Sequence, residues 1–210
     1  MTDKTTWGSH VPVHKSLFET YEVTGVIELG AGYHSTEMFF ENCSKVTSIE
    51  TDSVWVNKLQ QTIKQDDDHK LVLHEVPVNI TRSTRRSQVD ADFLESSVSF
   101  WESHIDGDMN YLFVDCISSL RLEAVEKLKS KFDIIVMHDV NEKGLGNHYK
   151  LDMLDELSKD TTHNLVVDST YRQHTGILVS KKLGKIEEFI AEHAKQTEAY
   201  SKTKAKIKQW

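Results

Sequence analysis

The stretch that most constrains what this chain can fold into is Val26 to Asp52, VIELGAGYHSTEMFFENCSKVTSIETD, which reads as strand, glycine turn, helix and second strand. Val26, Ile27 and Leu29 form the short apolar run of a buried parallel strand. The run breaks at Gly30-Ala31-Gly32, where the backbone must turn sharply and leave room for a ligand. Thr36 to Asn42 is predicted as a helix with Ser35 or Thr36 as its N-cap, and Val46 to Ile49 as the second strand. Glu50 ends that strand, twenty residues after Gly30. In a βαβ unit the carboxyl ends of adjacent strands lie side by side, so an acid at this point meets the ribose hydroxyls of a nucleoside held by the glycine turn.

The pattern resembles the class I S-adenosylmethionine-dependent methyltransferases, with Glu28-Leu29-Gly30-Ala31-Gly32 as the first motif and Ser48-Ile49-Glu50 as the second. The resemblance implies an α/β, Rossmann-like, doubly wound and mainly parallel seven-stranded sheet with an antiparallel last strand. It also implies S-adenosylmethionine as cofactor, held at Glu28, Gly30, Ala31, Gly32, Tyr33, Ser35, Thr36, Glu50, Thr51 and Asp115. NAD-binding Rossmann proteins prefer a third glycine where this chain has Ser35, and they seldom carry an acid two residues before the first glycine. Glu28 suits a cationic amino group better than a pyrophosphate, which it would repel.

Length and charge narrow the rest. At 210 residues the chain is expected to be a single domain with a full doubly wound sheet: an N-terminal cover segment over 1–22, an insertion or lid over 79–109, and a C-terminal helix with a basic tail over 183–210. A net charge of -8 argues against a generic nucleic-acid binder. Two cysteines, Cys43 and Cys116, and the lack of a secretory leader or membrane-length apolar run point to a cytoplasmic, reducing compartment.

Helical spacing of Leu17, Phe18 and Tyr21 predicts a leading helix over 15–21, and Trp7, His10 and His14 are candidates to line the cofactor pocket beneath it. Further helices are expected over 53–65, 91–104, 119–130 and near 149–158, and a last one around Ile186 to Ala194. The remaining strands are expected over 71–75, 111–115, 133–137, 164–168 and 175–180. The helix over 91–104, with Phe93, Leu94, Val98 and Trp101 on one stripe, lies in the insertion before strand 4. Ahead of it, Arg82, Arg85 and Arg86 form the dense arginine cluster of an acidic protein, fitted to an anionic substrate or to pairing with Asp90, Asp92 and Glu95.

Strand 4 ends at Asp115 and strand 5 is followed by His138-Asp139, so two adjacent strand ends each offer a carboxylate. Such a pair suits a divalent metal that also grips a substrate hydroxyl, or a structural Asp115 with no metal. This half resembles the metal-assisted O-methyltransferases of the macrocin type. That resemblance implies Asp115 and Asp139 as Mg2+ ligands, and Asp115, His138 and Asp139 as the catalytic group, with His138 or Asn141 as third ligand or base. Val140 separates Asp139 from Asn141, unlike the Asp-Asn of the catechol type. The Pro-Pro motif of exocyclic-amine methylation is absent, and Cys116 reads as a small buried residue.

The expected function is methyl transfer to a small-molecule acceptor, at oxygen. The alternatives are an S-adenosylmethionine-binding protein that cleaves or senses the cofactor, and an NAD- or nucleotide-binding Rossmann protein.

Overall fold

The computed structural model describes residues 8–81, 84–140, 157–170 and 174–207. Its centre is one sheet of seven strands: β1 (Val26–Leu29), β2 (Val46–Glu50), β3 (His69–Leu73), β4 (Tyr111–Val114), β5 (Ile134–His138), β6 (His163–Asp168) and β7 (Thr175–Ser180). They lie in the order β3-β2-β1-β4-β5-β7-β6. All run parallel except β7, which inserts antiparallel between β5 and β6. The chain leaves β1 toward β2 and β3 on one side and returns to β4 on the other, so the order reverses between β1 and β4. In an open α/β sheet that reversal opens a crevice at the carboxyl ends of the strands.

Each inner strand is buried on both sides, which explains its mainly apolar composition. Ile27, Leu29, Leu112, Val114, Ile135, Met137 and Leu178 face α4 (Ala91–Glu102) and α5 (Ser118–Leu128). Val26, Tyr111, Phe113, Ile134, Val136, Ile177 and Val179 face α1 (Val11–Thr20), α2 (Thr36–Asn42) and the C-terminal helix α6 (Ile186–Ile207). Burying a side chain such as Leu17 or Phe113 contributes roughly 1.5–3 kcal/mol each. Only Glu28 among the β1 residues is polar, and the register sets it beside Ser48 on β2 and Phe113 on β4.

Local chemistry moved several boundaries. Helix α1 starts at Val11 rather than Lys15, because Pro12 takes one of the first two helical positions, where a missing N–H costs nothing. Helix α3 (Ser53–Leu59) begins under an Asp52 cap that accepts from the Val54 and Trp55 amides, and it ends six residues before Gln65. Strand β3 begins at His69, paired with Val46, and stops at Leu73, so Glu75 lies beyond it. The last helix continues through the lysine tail to Ile207. The glycine loop over 143–146, the body of the helix expected near 149–158, Trp7, Arg82, Asn141, the 171–173 connector and Lys208 lie outside the described residues.

Candidate active site

The glycine turn is built by contact with its neighbours. Gly30 adopts φ +98, and its amide donates to the Ile49 carbonyl (2.7 Å). A Cβ here would fall inside the Asp115 carbonyl group and against the Cys116 amide, so the β1 turn passes directly over the end of β4. Only glycine meets both demands.

Glu28 is fully buried just before this turn. Its Oε2 accepts from Thr36 Oγ1 (2.7 Å) and Ser48 Oγ (2.5 Å), and Thr36 Oγ1 accepts from the Gly32 amide (2.9 Å). A relay therefore runs from the glycine loop through Thr36 to Glu28. It uses one of the two hydroxyls expected to cap α2, while the other, Ser35, stands at the N-cap position without a side-chain cap bond to the helix. The other carboxylate oxygen, Oε1, is buried without a partner. Burial pushes the Glu28 carboxyl up to about 7, against the pull of the surrounding Ser35, Ser48 and Thr36 hydroxyls, of which Ser48 and Thr36 make directed hydrogen bonds to it. A buried carboxyl with one satisfied and one orphan oxygen is fitted to a cationic or hydrogen-bonding ligand.

Glu50 ends β2 with Oε1 accepting from the Thr51 amide (2.6 Å), the Thr51 hydroxyl (3.2 Å) and the Asp52 amide (2.9 Å). Burial raises its carboxyl above the ordinary value, although these bonds oppose the shift. Trp55, at the start of α3, donates from Nε1 to the Ala31 carbonyl (2.7 Å) and meets the Tyr33 ring edge-to-face at 4.7 Å. The first turn of α3 thus clasps the glycine loop. The signal available in sequence was an indole one turn beyond the β2 acid.

Across the crevice, β4 and β5 bring Asp115, His138 and Asp139 together, with one ligand-type atom from each lying within 4.8 Å of the others. His138 Nδ1 stands 3.3 Å from Asp115 Oδ1 and 3.6 Å from Asp139 Oδ2. Nδ1 has no directed hydrogen-bond partner, so the two carboxylates act on the ring through charge and would stabilise it once protonated. Burial works to lower the imidazole pKa, but Asp115 and then Asp139 outweigh it and raise the value. Asp115 is held well below the usual carboxylate range by His138 and Arg121 in spite of its own burial. Asp139 has φ 60, a conformation strained for a residue with a side chain.

Sequence reasoning missed Arg121. From the first turn of α5 it reaches back to donate from Nη2 to Asp115 Oδ1 (2.6 Å) and from Nη1 to Asp139 Oδ2 (3.0 Å). It also donates to the Cys116 carbonyl (2.7 Å) through Nε and to the His138 carbonyl (2.9 Å) through Nη1. Two acids at neighbouring strand ends call for a cation, and Arg121 is the basic residue of the following first turn; that charge accounting was the available signal.

The turn before α1 closes the site from above. Ser9 Oγ lies 3.1 Å from His138 Nε2, and the His10 ring meets the His138 ring edge-on at 4.8 Å. Both His10 nitrogens are buried without partners, and burial, with His138 adding to it, brings the pKa of His10 down to about 3. His14 bonds the Tyr111 hydroxyl through Nδ1 beneath them. Arg85 is exposed on the insertion, its amide donating to Gln88 Oε1 (2.9 Å), and the backbone at Arg86 opens a short 3-10 turn over 86–88. Cys116 is buried with its thiol pushed up to about 12, which leaves it un-ionised at neutral pH. A separate cleft of about 390 Å³, lined by Lys45, Asp68, Lys70, His104 and Asp106, opens at the opposite, amino-terminal edge of the sheet. No helix among the described residues is long and apolar enough to cross a membrane.

No protein-family model matches this sequence, and no curated protein matches it. Solved structures do share its fold. An rRNA methylase from Streptococcus thermophilus superposes with a TM-score of 0.52 at 12% identity, over 80% of this chain and 93% of the other. A protein described as a methyltransferase from Streptococcus mutans, solved in complex with SAH, gives 0.54 at 10% identity, over 80% and 94%. One described as a caffeoyl-CoA O-methyltransferase from Staphylococcus aureus gives 0.53 at 11% identity, over 86% and 85%. With the strand order and the single antiparallel strand, these likenesses establish that the chain has the Rossmann-like methyltransferase fold.

Proposed function

We propose that this protein is an S-adenosylmethionine-dependent methyltransferase acting on a small-molecule acceptor, at oxygen. The observation that carries the reading is the orphan oxygen of buried Glu28 beside a turn where only a glycine fits against Asp115. A nucleoside with a cationic amino-acid tail matches this edge of the sheet: Glu50 for the ribose hydroxyls, the Gly30 to Gly32 backbone for close approach, and Glu28 for the cationic end.

S-adenosylmethionine, held by Glu28, the Gly30 to Gly32 turn and Glu50, would supply an electrophilic methyl on sulfur for transfer to the acceptor oxygen, the carbon–sulfur electron pair staying with the sulfur. The chain's own contribution is positional and acid–base. His138 Nε2, held 3.1 Å from the Ser9 hydroxyl, is within reach of a hydroxyl group and would take the acceptor proton, with Asp115 and Asp139 stabilising the imidazolium. Ser9, His10 and the start of α1 would exclude water. The donor set does not fit Mg2+, because the carboxylate oxygens that would ligate it are engaged by Arg121. Arg85, with Arg82 and Arg86, is proposed to attract an anionic acceptor.

The test is turnover. Incubation with methyl-labelled S-adenosylmethionine and a panel of phenolic and sugar hydroxyls, with RNA as a further acceptor, should transfer label to a small molecule, and His138→Gln should lower that rate by roughly 100-fold or more. Consumption of the cofactor with label in no acceptor would instead support cleavage, and label entering RNA alone would overturn the small-molecule assignment.

A further inference from the structure

We propose that the guanidinium of Arg121 is the permanent resident cation of the acceptor site, standing where two strand-end carboxylates would otherwise bind a divalent metal. The inference rests on the methyltransfer reading only for its consequence on turnover.

The argument is one of shared atoms. Asp115 Oδ1 and Asp139 Oδ2 are the carboxylate oxygens that face His138 Nδ1, at 3.3 Å and 3.6 Å. The same Asp115 Oδ1 lies 2.6 Å from Arg121 Nη2, and the same Asp139 Oδ2 lies 3.0 Å from Nη1. A cation ligated by these oxygens would have to displace a group already bound to both. Arg121 is also poorly placed to leave. Its side chain is 8% exposed and is tied to the Cys116 and His138 carbonyls, so the guanidinium fork is anchored to the backbone ends of β4 and β5. The fork is rigid and charged at every working pH, which a lysine or a histidine would not guarantee. A second, doubly charged ion within a few ångströms would meet direct repulsion in a buried site.

The arrangement explains the backbone as well. Asp139 accepts a left-handed φ of 60, and that twist coincides with its carboxylate facing Arg121 rather than solvent. With both carboxylates fixed by the guanidinium, they hold His138 by its Nδ1 side and leave Nε2 toward Ser9 and His10. Arg121 is therefore a positioning residue. It supplies one positive charge where a divalent ion would supply two.

The experiment uses Mn2+ as the probe, followed by electron paramagnetic resonance and by thermal stability, on the full chain and on Arg121→Ala and Arg121→Lys. The unaltered protein should bind no Mn2+ at this site, and EDTA should leave both its S-adenosylmethionine affinity and its turnover unchanged. Arg121→Ala should lose thermal stability and gain a saturable Mn2+ site at least about tenfold tighter than anything in the unaltered protein, abolished by adding Asp139→Asn. Arg121→Lys should keep the site closed. Mn2+ binding by the unaltered protein that disappears in Asp139→Asn would overturn the proposal, as would a folded Arg121→Ala that binds no Mn2+. If Arg121→Ala does not fold, the unaltered protein and its Asp139→Asn variant still decide the question. Failure of S-adenosylmethionine to bind would remove the methyltransfer reading and leave the Mn2+ result standing.

Discussion

Gly30 and Asp115 touch through their backbones: the positive-φ turn after β1 lies so close to the Asp115 carbonyl that no side chain fits between them. The loop proposed to carry the cofactor and a carboxylate proposed to support the His138 base are thus joined without an intervening layer. Gly30→Ala has to break one of them. A left-handed alanine costs ~1 kcal/mol or more by itself, and the forced separation of β1 and β4 adds to it. The expected result is a Tm lower by roughly 10 °C, about 3 kcal/mol for a domain of this size, with nucleoside binding lost. Differential scanning calorimetry of the variant checks it.

Glu28 makes a prediction whose sign depends on pH. Its folded pKa of about 7 lies above the ordinary 4.5, so the buried carboxyl favours the fold while protonated and loses that contribution as pH rises from 4.5 through 7. Glu28→Gln keeps a similar shape without the charge. It should raise apo stability at pH 8 by on the order of 3 kcal/mol and change little at pH 4.5. The same change should weaken binding of a cationic cofactor, and binding to the unaltered protein below pH 7 should release a proton, read by calorimetry in two buffers of different ionisation enthalpy.

His10 gives the opposite slope. Its folded pKa of about 3 lies below 6.5, so its contribution to the fold is complete above pH 6.5 and lost as pH falls toward 3, at about 1.4 kcal/mol per pH unit. His10→Leu removes two orphan buried nitrogens and should gain about 1 kcal/mol at pH 7. It should also flatten the acid limb of a stability–pH curve by one proton, while reducing turnover of the acceptor.

Trp55 offers a milder perturbation of the cofactor loop. Trp55→Phe keeps the ring contact with Tyr33 but removes the hydrogen bond to the Ala31 carbonyl. A cost of about 1 kcal/mol in stability is expected, with a weaker affinity for the nucleoside and an unchanged rate at saturating cofactor.

How much was legible in sequence follows from the range of the interactions. The alternation of mainly apolar strands with helical stripes located the strands of the sheet, because burial on both faces leaves little room for polar residues in an inner strand; the antiparallel last strand came from the resemblance to methyltransferases. Glu28, Gly30 and Glu50 could be placed together because all three belong to one local βαβ unit. Asp115, His138 and Asp139 followed from the rule that parallel strands end side by side. Arg121 did not, because its side chain leaves the apolar stripe of α5 and folds back over two strand ends, a path that no periodicity records. His10 was only half legible: its position before α1 was visible, but its packing on Phe113 and His138 depends on the helix running back along the sheet.

The central claim is that the edge formed by Glu28, Gly30 and Glu50 binds S-adenosylmethionine. It is tested most directly by thermal unfolding with S-adenosylmethionine, S-adenosylhomocysteine and NAD in parallel. A ligand at 100 times its Kd adds about 2.7 kcal/mol, a rise of roughly 5–10 °C here. The account predicts that rise with the first two ligands, none with NAD, and its loss in Glu28→Ala. A rise with NAD alone, or with none of the three, would contradict it.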